Sequence, residues 1–160
     1  MSTLPSAEVV SLPVPPVVKQ VQVPCSPQAA FDAFTRDIHR WWPTTTHSIN
    51  APNVSHVAFE PRLGGRLFER GADGVEHAWG CVTTWDPPHR LVFTWHVGRS
   101  ADTAQQVALS FSAHAGGTRV ELVHTGWERL GAEGAGMRDR YESGWNAVFV
   151  QGFGDYAQAG

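Results

Sequence analysis

Between Ser55 and Thr125 the chain is cut into strand-length pieces by turn signals so close together that the pieces have one way to pair. The cuts are Gly64-Gly65, Asp73-Gly74, Asp86-Pro87-Pro88 and Gly116-Gly117. Between them lie Val57 to Glu60, Arg66 to Arg70, Glu76 to Trp85, Arg90 to Val97, Ala104 to Ala113 and Thr118 to Thr125, which read as strands. Parallel neighbours need a crossover of roughly a dozen residues or more, and these turns are too short for one. An antiparallel meander is therefore expected.

The flanks supply what the meander lacks. Val17 to Val23 ends in apolar/polar alternation and reads as one more strand, closed by Pro24. Ser26 followed by Pro27 is an N-cap and first helical residue, and Ala30, Phe31, Phe34 and Ile38 recur at helical spacing up to Trp41-Trp42-Pro43. The stretch from Thr44 to Val54, with Pro52 and Asn53, reads as loop or a short helical turn. After Gly126 a glycine-rich loop leads into a helix over Met137 to Ala157, with Tyr141, Trp145, Val148, Phe149, Gly152 and Tyr156 on one side. The expected fold is α+β: a seven-stranded curved antiparallel sheet wrapped around a long C-terminal helix, with one or two short helices between strands 1 and 2. Residues 1–16, with prolines at 5, 13, 15 and 16, read as a flexible leader, and residues 17–158 as a single domain.

Charge and cysteine use narrow the function. A formal charge of −3, a pI near 6.2 and scattered Lys and Arg argue against nucleic acid. No apolar run approaches the roughly 20 residues of a membrane span, and Met1 to Pro16 lacks the parts of a signal peptide, so the cytoplasm is the expected compartment. Cys25 and Cys81 match no metal-ligand spacing, and Cys81, mid-strand, reads as a buried structural thiol. The eight histidines contain no HxH or HExxH pattern; no metal and no cofactor are expected.

Seven tryptophans and eight phenylalanines in this length are enough to line a pocket as well as to fill a core. Alternation puts Leu91, Phe93, Trp95 and Val97 on one strand face, Val107, Leu109 and Phe111 on the next, and Val120, Leu122 and His124 on the last. With Tyr141, Trp145 and Phe149 from the helix, and Trp79, they make the predicted ligand-binding wall between sheet and helix. His124 continues an apolar register, either to orient a ligand's polar end or as a buried imidazole bonded to a backbone carbonyl or to Tyr141. His47 follows the tryptophan pair at the expected cavity mouth, and Glu60 and Glu76 lie on neighbouring strands. These three and His124 are the weak candidates for acid-base chemistry.

Several local motifs occur in an order that resembles the helix-grip fold of the START/Bet v1-like superfamily, often called SRPBCC. They are Ser26-Pro27 with Ala30-Phe31, Trp41-Trp42-Pro43, Phe59-Glu60-Pro61-Arg62-Leu63-Gly64-Gly65-Arg66, Trp79-Gly80, Trp85-Asp86-Pro87-Pro88, Arg90-Leu91-Val92-Phe93-Thr94-Trp95 and Gly144-Trp145. The branch most similar is the one named for the activator of Hsp90 ATPase, and the likeness runs from Val17 to Tyr156. The fold hosts many functions, so the resemblance fixes no reaction. Three readings follow: a non-catalytic domain binding a hydrophobic small molecule or lipid, a co-chaperone-like or regulatory module binding a protein partner, and an enzyme acting on a hydrophobic substrate in the cavity. Monomer and homodimer both remain open.

Overall fold

A computed structural model describes residues 14–159; residues 1–13 of the proline-rich leader lie outside it. Seven strands form a single sheet: β1 (Val17–Val23), β2 (Val54–Phe59), β3 (Arg66–Gly71), β4 (Glu76–Asp86), β5 (Arg90–Trp95), β6 (Gln105–His114) and β7 (Gly117–Thr125). Their order is β1-β7-β6-β5-β4-β3-β2, with every neighbour antiparallel. Short turns join β2 to β5 and β6 to β7, a longer connection with a 3₁₀ turn (Ala101–Thr103) joins β5 to β6, and β1 closes onto β7 with Val17 opposite His124.

The sheet curves because its ladders carry extra residues. Ser55 in β2, and Trp79 and Thr83 in β4, have no opposite number on the neighbouring strand, and such bulges bend and twist the strand that holds them. At the first bulge of β4 the backbones approach so closely that a Cβ on Gly80 would overlap the Thr94 carbonyl. The same bulge shifts the in/out parity of β4. Trp79 and Val82 both face the core and Cys81 is exposed, which corrects its reading as a buried thiol.

Two helices follow β1. Ser26 Oγ accepts from Ala29 N at 3.1 Å, Pro27 opens α1 (Pro27–Thr35), and the helix buries Ala30, Phe31 and Phe34. A break at Arg36-Asp37 separates it from α2 (Ile38–Trp41), where periodicity alone suggests one continuous helix. Trp42 is extended (φ −68°, ψ 130°), as the residue before a proline prefers, and Pro43 ends the segment.

The long C-terminal helix is composite: α3 (Gly134–Trp145), a π-helical segment (Asn146–Phe153) and α4 (Gly154–Ala159), preceded by a 3₁₀ segment (Trp127–Glu133). Its buried face runs Trp145, Phe149, Phe153 and Ala157. In a regular α-helix three successive steps of four would rotate these residues about 120° apart. The wider π turn cancels that drift and keeps them against one sheet. Phe153 and Ala157 were therefore hidden from a strict 3.6 period. Among the described residues no helix is long and apolar enough to cross a membrane.

Candidate functional site

Residues opposite one another in the ladders share a face, so rows of side chains cross the inner surface. One row is Leu91, Leu109 and Leu122; the next is Phe93, Val107 and His124. All six are buried. At the end of the sheet where β5 finishes, Trp95 meets Trp42, Trp79 and Trp145, with ring centroids 6.0, 5.8 and 5.4 Å away.

Indoles carry an N–H that must be satisfied when buried, and six of the seven here donate to a named acceptor. Trp42 Nε1 donates to the His47 carbonyl (2.8 Å), Trp79 Nε1 to Glu69 Oε1 (2.8 Å) and Trp95 Nε1 to the Tyr141 hydroxyl (2.9 Å). Trp145 Nε1 donates to His124 Nδ1 (3.0 Å), while Trp127 Nε1 reaches the His124 carbonyl (3.0 Å). The His124 partner is thus an indole, neither a backbone carbonyl nor Tyr141.

This arrangement settles the state of His124. Its Nδ1 accepts, so the neutral ring carries its proton on Nε2, which has no partner among the described residues. The ring stacks on Trp127 with centroids 4.0 Å apart, and burial pushes its pKa down to about 3. His124 is neutral near pH 7, with its basic nitrogen already engaged, so the geometry makes it a hub for two indoles rather than a general base.

The pocket opens beside this framework and has a volume of about 310 Å³. Its floor is buried Trp42, Trp95, Trp145 and Val148. Its rim carries Thr46, His47 and Ser48 from the loop after α2, and Arg140 from α3. Val97, Tyr141 and Gly144 complete it. Of the expected ligand wall, Trp95, Val97, Tyr141 and Trp145 line this pocket; Trp79, Leu91, Phe93, Val107, Leu109, Phe111, Val120, Leu122, His124 and Phe149 pack into the core instead. This pocket lies at the tryptophan end of the sheet. Tyr141 is partly buried, which raises its phenol pKa, and its oxygen accepts from Trp95, so its own proton is left to donate.

His47 lines the rim with Nδ1 2.7 Å from Thr46 Oγ1. Glu60 and Glu76 do not join it. Glu60 accepts from Arg66 (3.0 Å), and Glu76 from Arg70 (2.6 Å) and Arg66 (3.0 Å). Those guanidinium bonds hold both carboxyls below the usual range. Among the described residues no hydrogen bond joins any two of His47, His124, Glu60 and Glu76, and no cluster of three metal-ligating side chains occurs.

Glu69 is the residue that sequence reading missed. It is 0% exposed, and its carboxylate accepts from Ile49 N, Asn50 N, Asn50 Nδ2 and Trp79 Nε1 at 2.6 to 2.9 Å. It ties the loop that carries the rim residues down to the sheet. The signal was present in β3, where Glu69 shares the inward parity of Leu67.

A family model described as Activator of Hsp90 ATPase homolog 1-like protein matches residues 24–158. No curated protein matches the chain. Among solved structures, the chain is similar to Txn09, an anthrahydroquino-γ-pyrone synthase, at 32% identity over 89% of this chain and 97% of that one, with a TM-score of 0.63. It is also similar to CalC, a self-sacrificing resistance protein from Micromonospora echinospora, at 27% identity over 91% and 95% of the two chains, with a TM-score of 0.66. A structure from Aeromonas hydrophila shares 20% identity over 90% and 92%, with a TM-score of 0.62, a likeness of fold alone.

Proposed function

The chain belongs to the family of activator of Hsp90 ATPase homologue 1-like proteins, and on that premise we propose that it is a binding domain for a flat, mainly apolar small molecule held in the pocket at the tryptophan end. The observation that carries this reading is Gly144. Glycine inside a helix costs about 0.5–1 kcal/mol relative to alanine. Here a Cβ would meet nothing within 4 Å, so no packing contact in the fold demands the glycine. What its missing side chain provides is room in the pocket that it lines. Indole and phenol rings on the other walls offer broad apolar faces, and burial of a ligand's area against them supplies affinity.

A second reading, an enzyme acting on a hydrophobic substrate, is favoured by the similarity to a synthase at 32% identity and by His47 and Tyr141 lining one pocket. A protein-interaction role rests on the family description. We place the protein in the cytoplasm, where its two free cysteines fit a reducing environment.

The test is a fluorescence titration with the neutral aromatic probe N-phenyl-1-naphthylamine. Wild-type protein is expected to bind it saturably at one site, and Gly144→Leu, which fills the pocket from a helix that tolerates leucine, to lose that binding while unfolding as cooperatively as wild type. Absence of saturable binding, or equal binding by the folded variant, overturns the proposal.

A further inference from the structure

The rim of the pocket is electrically one-sided. Its lining contains no carboxylate and one guanidinium, that of Arg140. The acidic groups near Arg140 in sequence are already engaged with other cations. Glu142 pairs with Lys19 and with Arg138 (2.9 Å), Asp139 with Arg138 (3.4 Å), and Glu133 with Arg99 (2.9 Å). Arg140 itself forms no ion pair among the described residues.

One residue further along α3, Tyr141 faces the same pocket with its oxygen accepting from Trp95 at 2.9 Å. A hydroxyl that already accepts is a better donor, because each hydrogen bond in a chain polarises the next. The pocket therefore presents a floor of mutually tilted indole rings, one polarised O–H and one uncommitted cation, with no acidic group in its lining to repel an anion.

Resting on the reading of this pocket as a ligand site, we infer that its ligand is an aromatic acid: a flat ring system bearing a carboxylate or an ionised phenol, with the anionic oxygen at Arg140 and Tyr141. Arginine suits this role because its planar fork meets a carboxylate with two parallel N–H donors and its charge persists at any physiological pH. The guanidinium is exposed, so its contribution is partly screened, and its selectivity is read most clearly at low salt.

Two probes of one shape, 2-naphthoate and its neutral isostere 2-naphthamide, isolate the charge. Calorimetric titration of the wild-type protein at low salt is expected to give about fivefold tighter binding of the naphthoate, the range of a partly screened charge-assisted contact. Arg140→Gln is expected to bring that ratio to about one, while Arg119→Gln, in β7 beside His114 and outside the pocket lining, keeps the wild-type ratio. Equal binding of the two probes by wild type, or a ratio unaltered in Arg140→Gln, overturns the inference and leaves the pocket reading standing. Binding of neither probe overturns both.

Discussion

The two ends of the sheet-helix sandwich are both aromatic, and they are built in opposite ways. At one end Phe31 meets Phe111 (5.2 Å), Phe34 meets Phe153 (5.3 Å), and Phe149 stacks on Phe153 with 4° between the rings. At the other, Trp42, Trp95, Trp145 and Tyr141 are held by hydrogen bonds to one another, to His124 and to the loop. Phenylalanine rings have no polar atom to satisfy and close into a dense core; no phenylalanine lines the pocket. Indoles and phenols must place an N–H or O–H on a partner, so the partners dictate where the rings stand and a void survives between them. One helix serves both ends, and the change from open to closed falls in its π segment.

If that contrast is right, removing a ring does most damage at the closed end. Phe149→Ala should lower stability by about 4 kcal/mol, as a large cavity in a dense core does, read by urea unfolding. A loss below about 1 kcal/mol would mean that this end is not close-packed.

The open end should be the more sensitive to acid. His124 binds its proton near pH 6.5 when unfolded and near pH 3 when folded, so between those values the unfolded state holds more protons. Stability is full above pH 6.5 and falls by about 1.4 kcal/mol per pH unit below it, or about 3 kcal/mol by pH 4. His124→Gln should flatten that part of the pH profile relative to wild type; identical profiles would mean that the ring is not buried neutral.

Glu69→Ala is predicted to cost about 2 kcal/mol and, more tellingly, to speed hydrogen exchange at the Ile49 and Asn50 amides while sparing the phenylalanine end. Exchange that rises uniformly would deny the loop its separate anchor. The smallest effect belongs to the Trp95–Tyr141 bond. Single changes to phenylalanine at either site should cost about 1 kcal/mol, and the double variant less than their sum.

The contrast was only half visible in the sequence. Turn spacing and alternation gave the meander, the inward rows and the closing helix, because those follow from short-range geometry. The pocket's place did not follow. It depends on bulges that reset parity at Trp79, and so on Cys81, on a π segment that pulls Phe153 and Ala157 into line, and on hydrogen bonds between residues far apart in the chain. Ten residues expected at the ligand wall are core for that reason, whereas Trp95, Val97, Tyr141 and Trp145 line the void. Glu69 could have been found by extending the parity of Leu67, which marks a charge on the buried face.

The most direct measurement is a ¹H–¹⁵N spectrum of the seven indole N–H groups, recorded while N-phenyl-1-naphthylamine is titrated into the protein. Saturable shifts are expected in the signals of Trp42, Trp95 and Trp145, with Trp85, packed on Phe31 at the closed end, unmoved. Shifts centred on Trp85, or no saturable shift at all, would contradict a ligand pocket at the tryptophan end.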